Sequence, residues 1–214
     1  QQVRAKIIEI AGGQNNVIHF KRGEMSQKPD NAVVISVTDD REKFPKDVYA
    51  WYDGNGTVYW GSDEPNPYMN EEKFNPSSID NNDSRNNMFN NFANLETFEV
   101  NWDTSLVTTL RGMFTGCKKL TVANNSYKNC TLTPGSLTDM FQNCNALTEC
   151  TILRNLNADN LKDHRAVLQN CSALTADVMA PIFATWKLTN LTVGNGNNNG
   201  FVDINEVGYS FNSK

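Results

Sequence analysis

The chain has 214 residues and carries 19 basic against 24 acidic side chains, a net charge of −5. That balance argues against a protein that lives on phosphate backbones or anionic membranes, both of which need a positive face, and predicts no nucleic-acid partner. No apolar run approaches the ~20 residues that span a bilayer, and 13 glycines with five cysteines exclude collagen and a disulfide-dense miniprotein.

In chain order, residues 3–10, 17–20 and 32–38 are predicted apolar strands, separated by Gly, Asn and Pro. Tyr49–Tyr52 and Thr57–Trp60 flank Asp53-Gly54-Asn55-Gly56, a strong hairpin signal. Residues 1–80 therefore read as a β-rich N-terminal cap or subdomain. Pro65, Pro67, Pro76 and the run Asn81–Asn87 mark a polar connection. The chain opens at Gln1 with no initiator methionine, charged start or apolar segment, so any signal or lipid anchor would have left with a preceding segment.

The strongest pattern follows. MFNNFANL from Met88, MFTGCKKL from Met113, MFQNCNAL from Met140 and VLQNCSAL from Val167 align at offsets of 25, 27 and 27 residues. Each octet has two apolar residues, two polar, a cysteine (Phe92 in the first), two more residues and a leucine. Val107, Leu110, Phe114, Cys117 and Leu120 fall three or four apart, the spacing of one apolar stripe on a helix. Leu161, Val167, Leu168, Cys171 and Leu174 repeat most of it, with His164 in the place of Leu110. Phe98, Val100 and Trp102 alternate with Thr97, Glu99 and Asn101, which predicts a half-buried strand ahead of the second octet. A unit of about 26 residues with one strand and one short helix buries its apolar face only against neighbouring units. The expected fold class is α/β: a short solenoid of about four levels over 81–188, with a C-terminal β tail over 189–214. Ser172–Trp186 is a candidate last helix.

The stretch NWDTSLVTTLRGMFTGCKKLTV (101–122) resembles the repeat of BspA-like leucine-rich-repeat proteins, a bacterial surface and lipoprotein family. Trp102, Asp103, Thr104, Ser105, Val107, Thr108, Met113, Phe114, Cys117 and Leu120 occupy that repeat's places, and residues 47–72 are similar to the segment preceding its first repeat. The aspartate-threonine-serine element is lost at Asn157, Ala158 and Asp159. The resemblance implies a leucine-rich-repeat-type solenoid in a cell-surface or exported adhesin, which binds a protein or glycan of a host or neighbouring cell.

Candidate chemistry is sparse. Cys117, Cys144 and Cys171 recur every 27 residues and should stand in one file. Such a file is either a redox or metal ladder or a column of small buried thiols, and Phe92 in the same register favours the column. Whether Cys130 and Cys150 pair is open. His19 and His164 have no partner suggested by spacing, and no GxSxG, HExxH or phosphate-loop pattern is present, so no enzyme is expected. Asn195, Asn197, Asn199, Asp203 and Glu206 match liganding positions of an EF-hand calcium loop, with Gly200 at its turn. Only two of the five ligands are charged, and a plain Asn-Gly hairpin turn is the favoured reading of the run.

The expected contact surface is the outward side of the repeat sheet: Thr97, Glu99, Asn101, Asn124, Ser126 and Thr151. Two other readings are a carbohydrate-binding module using exposed aromatics of the Trp51–Trp60 hairpin and a calcium-stabilised spacer. For the hairpin aromatics, burial in the cap, sealing the first repeat against water, is the favoured reading. The asparagines, Asn143 and Asn170 among them, suit tight turns because they tolerate left-handed backbone.

Overall fold

The structure is a computed structural model that describes residues 2–35, 41–67, 88–104, 107, 109–125, 137–154, 156, 166–175, 177–179 and 181. The first segment, expected as a strand over 3–10, is instead helix α1, Gln2–Ala11. Ala5, Lys6 and Glu9 favour helix, and Val3, Ile7 and Ala11 lie four apart, so a helical turn puts all three in the core. The helix ends in a Schellman cap: Gly12 sits at φ 69 and the Gly13 amide returns to the Ile8 carbonyl at 2.9 Å.

Next come β1 (His19–Arg22), β2 (Val33–Val34), β3 (Tyr49–Tyr52) and β4 (Thr57–Gly61). The strand expected at 17–20 is displaced by two residues, and the one expected at 32–38 is two residues long within the described part. The hairpin lies where its sequence puts it, with Asp53 accepting from the Asn55 and Thr57 amides at 2.7 and 3.0 Å. The strands β5 (Thr97–Val100) and β6 (Val122–Asn125) follow, then a single turn of helix, α2 (Thr151–Arg154). The fold is thus mixed α/β, built on one six-stranded sheet of order β2-β3-β4-β1-β5-β6. β2, β3 and β4 are antiparallel, whereas β4, β1, β5 and β6 run parallel.

One hydrogen-bonding fork recurs across the parallel part. Ile18 and His19 donate to Gly56 O, Glu96 and Thr97 to Ile18 O, Thr121 and Val122 to Glu96 O, and Thr148 and Glu149 to Thr121 O. The N-terminal strands, which share no sequence with the octets, therefore carry on the same ladder as the repeats.

The octets lie one over another opposite the sheet's buried side. Phe114 donates to Met140 O and Phe141 to Val167 O, both at 2.9 Å, while Gly116 donates to Gln142 O and Asn143 to Gln169 O at 2.8 Å. The Phe89, Phe114 and Phe141 rings stack in series, with the last two 5.2 Å apart at 6°. The expected stripe Val107, Leu110, Phe114, Cys117 and Leu120 is buried, but it forms turns closed by i→i−3 bonds rather than a helix. Left-handed residues interrupt helical backbone at each level: Gly112, Asp139 and Ala166 before the last three octets, and Asn91, Gly116, Asn143 and Asn170 before the cysteine position of all four.

The first level has no octet before it, and α1 fills that role. In the later levels Thr115, Gln142 and Gln169 accept an amide from the octet before them. The equivalent carbonyl of Asn90 accepts instead from Arg4 Nη1 at 2.8 Å. The Arg4 guanidinium lies 4.9 Å over Phe92, the aromatic that stands in the cysteine column.

The open sheet face as candidate functional site

Strand alternation sends Phe20, Phe98, Ala123 and Trp60 into the core and turns their neighbours outward. The outward side carries two transverse lines. In one, His19 is paired with Thr57 and Thr97, Thr97 with Val122, and Val122 with Glu149. In the other, Trp51 is paired with Tyr59, Tyr59 with Lys21, and Glu99 with Asn124. Lys21 and Glu99 follow the paired Phe20 and Phe98, so they are neighbours on adjacent strands.

Four of the expected surface residues share this face. Glu99 and Asn124 are exposed and Thr97 is half-buried, with Thr97 Oγ1 2.8 Å from His19 Nδ1. The Thr151 hydroxyl, also half-buried, donates to Asn124 Oδ1 at 2.8 Å. Asn101 is engaged structurally: it accepts from Arg22 at 3.1 Å and donates to Pro65 O at 2.7 Å. Ser126 lies outside the described residues. Sequence reasoning weighed His19 and the hairpin containing Tyr59 separately, passed over Lys21, and placed none of them on this face, because no local pattern shows that β1 and β4 join the repeat sheet.

Burial, the favoured reading of the hairpin aromatics, agrees with the structure, and the alternative of a row of exposed tryptophans does not. Trp60 is fully buried, and Trp51 is 8% exposed. Trp51 pairs with Tyr59 and so faces away from the core, but the segment at Gly23–Met25 covers it. A Cβ on Gly23 would strike the Trp51 ring, and Gly61 is hemmed in by Trp51 and Met25 Sδ. Tyr59 is held between the Trp51 ring, 5.8 Å away, and the Lys21 ammonium, 5.7 Å from its centroid.

The cysteine file is present. Cys117, Cys144 and Cys171 donate to the carbonyls of Phe89, Phe114 and Phe141, each at 3.1 Å. Burial pushes the Cys117 and Cys171 thiols up to about 12 and raises those of Cys144 and Cys150 as well. Nucleophilic or ligating chemistry needs the thiolate, so these cysteines pack as apolar groups. Cys150 is a free, buried thiol, and Cys130 lies outside the described residues. Among the described residues no group of three His, Cys, Asp or Glu is placed to hold a metal, and no helix is long and apolar enough to cross a membrane. His164 and the candidate calcium loop of Asn195, Asn197, Asn199, Asp203 and Glu206 lie outside the described residues.

A family model described as "Mycoplasma protein of unknown function, DUF285" matches residues 65–193. No curated protein and no solved structure matches the chain.

Proposed function

The chain belongs to the DUF285 family, and we propose that it is a non-enzymatic binding or adhesion protein of the BspA-like leucine-rich-repeat group. On this reading the stacked octets form a short solenoid, displayed at the cell surface or exported, and the polar sheet face takes a macromolecule of a host or neighbouring cell. The supporting observation is the fork of hydrogen bonds repeated from Gly56 to Thr148. It joins cap and repeats into one sheet with one side buried under the octets and polar side chains on the other. Repeat arrays bind partners on such extended faces, although fold by itself does not fix function.

The test is adhesion of the full chain to immobilised matrix proteins and glycoproteins. The double variant Glu99→Arg/Asn124→Arg, on the sheet face, should abolish binding, and Lys118→Glu, on an exposed octet turn, should leave it intact. Equal loss in both variants, or none in either, removes the sheet face from the function. Protease treatment of intact source cells should degrade the protein if it is displayed outside, and its survival until lysis would contradict that location.

A further inference from the structure

We propose that Met25 is an oxidation-sensitive latch: a peroxide converts its thioether to the sulfoxide and so lifts a strap, residues 24–32, off the indole of Trp51. This inference is independent of what the sheet face binds.

Trp51 pairs with Tyr59 on the outward side of the sheet, yet it is only 8% exposed. Its ring lies across two glycines at the strand ends, Gly23 and Gly61, where any side chain would strike it. A Cβ on Gly61 would stand 2.9 Å from Trp51 Cη2 and 3.0 Å from Met25 Sδ. Thioether and indole edge thus converge over one backbone position. The rest of the strap is lightly held. The Gly23 amide donates to Trp60 O at 2.8 Å, then the chain leaves the sheet and rejoins it at Val33. Between these points, among the described residues, the hydrogen bonds close within the segment: Gln27 N to Glu24 O, Lys28 N to Met25 O and Ala32 N to Pro29 O. Two side chains reach back to the sheet, Met25 at Gly61 and Lys28, whose ammonium lies 4.8 Å over the Tyr49 ring.

Burial makes the oxidation selective. Met88, Met113, Met140 and Met179 are at most 1% exposed, whereas Met25 is half-buried. In the step, the Sδ lone pair attacks one oxygen of hydrogen peroxide, an S–O bond forms and the O–O bond breaks. The departing hydroxide takes the proton of the transferred oxygen and leaves as water. Sulfur gives up two electrons and the peroxide accepts them. The sulfoxide is polar, and an S=O dipole buried without a donor is costly. Over Gly61 it meets the carbon edge of the indole, Cζ3 and Cη2, so hydrating the new oxygen requires the strap to lift. Opening also forfeits nothing that oxidation has not already spoiled, because the favourable sulfur–aromatic contact is gone. The open form adds the Trp51 indole to the sheet face beside Tyr59.

The probe is hydrogen peroxide on the full chain. Peptide mass spectrometry should find an added oxygen on Met25 before any on Met88, Met113, Met140 or Met179. Cleavage after Glu24 by a glutamate-specific protease should then accelerate by up to about tenfold, since it tracks the open population. Acrylamide should quench more of the tryptophan fluorescence, in Trp186→Phe as in the parent chain. Thermal unfolding checks that the remainder stays folded. Both changes should be absent in Met25→Leu, which keeps the apolar bulk and accepts no oxygen. Both should reverse on treatment with methionine sulfoxide reductase. Oxidation of the buried methionines first, or an oxidised Met25 with cleavage and quenching unchanged, overturns the latch. An equal response to peroxide in Met25→Leu overturns it as well.

Discussion

The Cys144 thiol donates a 3.1 Å hydrogen bond to the carbonyl of Phe114, one level back in the octet stack. Cys117 and Cys171 do the same to Phe89 and Phe141. A cysteine is small enough for the column and carries the weak donor that the preceding turn's carbonyl needs. Cys144→Ala loses that bond and part of a buried side chain, so it should destabilise the fold by about 1–2 kcal/mol. The check is a lower denaturant midpoint at unchanged slope.

Alkaline pH should act through the same thiols. Their folded pKa values lie above those of free thiols, with Cys117 and Cys171 at about 12. The unfolded chain therefore loses these protons first. The stability they contribute is complete below pH ~8.5 and falls as pH rises toward about 12, by up to about 1.4 kcal/mol per pH unit for each thiol. Unfolding curves from pH 8 to 11 should show the decline, and replacing the column cysteines with alanine should flatten it. At pH 8 the four described thiols should resist alkylation until denaturant is added.

The left-handed columns give two substitutions of opposite sign. Ala166 sits at φ 54, where a Cβ is unfavourable by about 1–2 kcal/mol. Ala166→Gly should therefore raise stability by about 1 kcal/mol, after the loss of chain entropy peculiar to glycine. Gly116→Ala should lower it by about 2 kcal/mol or more, because the new methyl adopts φ 77 and meets Asn91 Oδ1. Adding Asn91→Gly should recover part of that loss, since it removes the clash and leaves only the backbone strain. Thermal unfolding of the three variants decides both points.

Arg4 closes the first level of the stack through Asn90 O and the Phe92 ring. Burial lowers its guanidinium pKa, partly offset by the Cys117 thiol, without removing its charge at neutral pH. Arg4→Met keeps much of the packing but removes the donors, and should destabilise the protein by about 1–3 kcal/mol. Amide hydrogen exchange should accelerate first around residues 88–95. Uniform acceleration along the stack would mean that Arg4 does not act as a local cap.

Much of this architecture was readable from the octets. Their period placed the cysteine column, and the mixture of Asn and Gly before each cysteine position carried the left-handed backbone that the structure displays there. Local chemistry sufficed, because a turn residue at positive φ must be Gly, Asn or another tolerant residue whatever surrounds it. The hairpin was legible for the same reason. Residues 3–10 were not: VRAKIIEI suits a strand as well as a helix, and only the buried face of Val3, Ile7 and Ala11 selects the helix. The octet turns were read as helical because their apolar spacing is helical, while the left-handed residues that break the helix act on the backbone and leave that spacing untouched.

The candidate site divides in the same way. Thr97, Glu99 and Asn124 could be placed outward by alternation alone, since a strand exposes every second residue once its other side is buried. That Asn101 is bound to Arg22 and Pro65, that Trp51 lies covered, and that Lys21 and Tyr59 extend the face were decided by tertiary structure. Each depends on which strands become neighbours, and parallel neighbours such as β1 and β5 are joined by long connections whose pairing no nearby residue specifies.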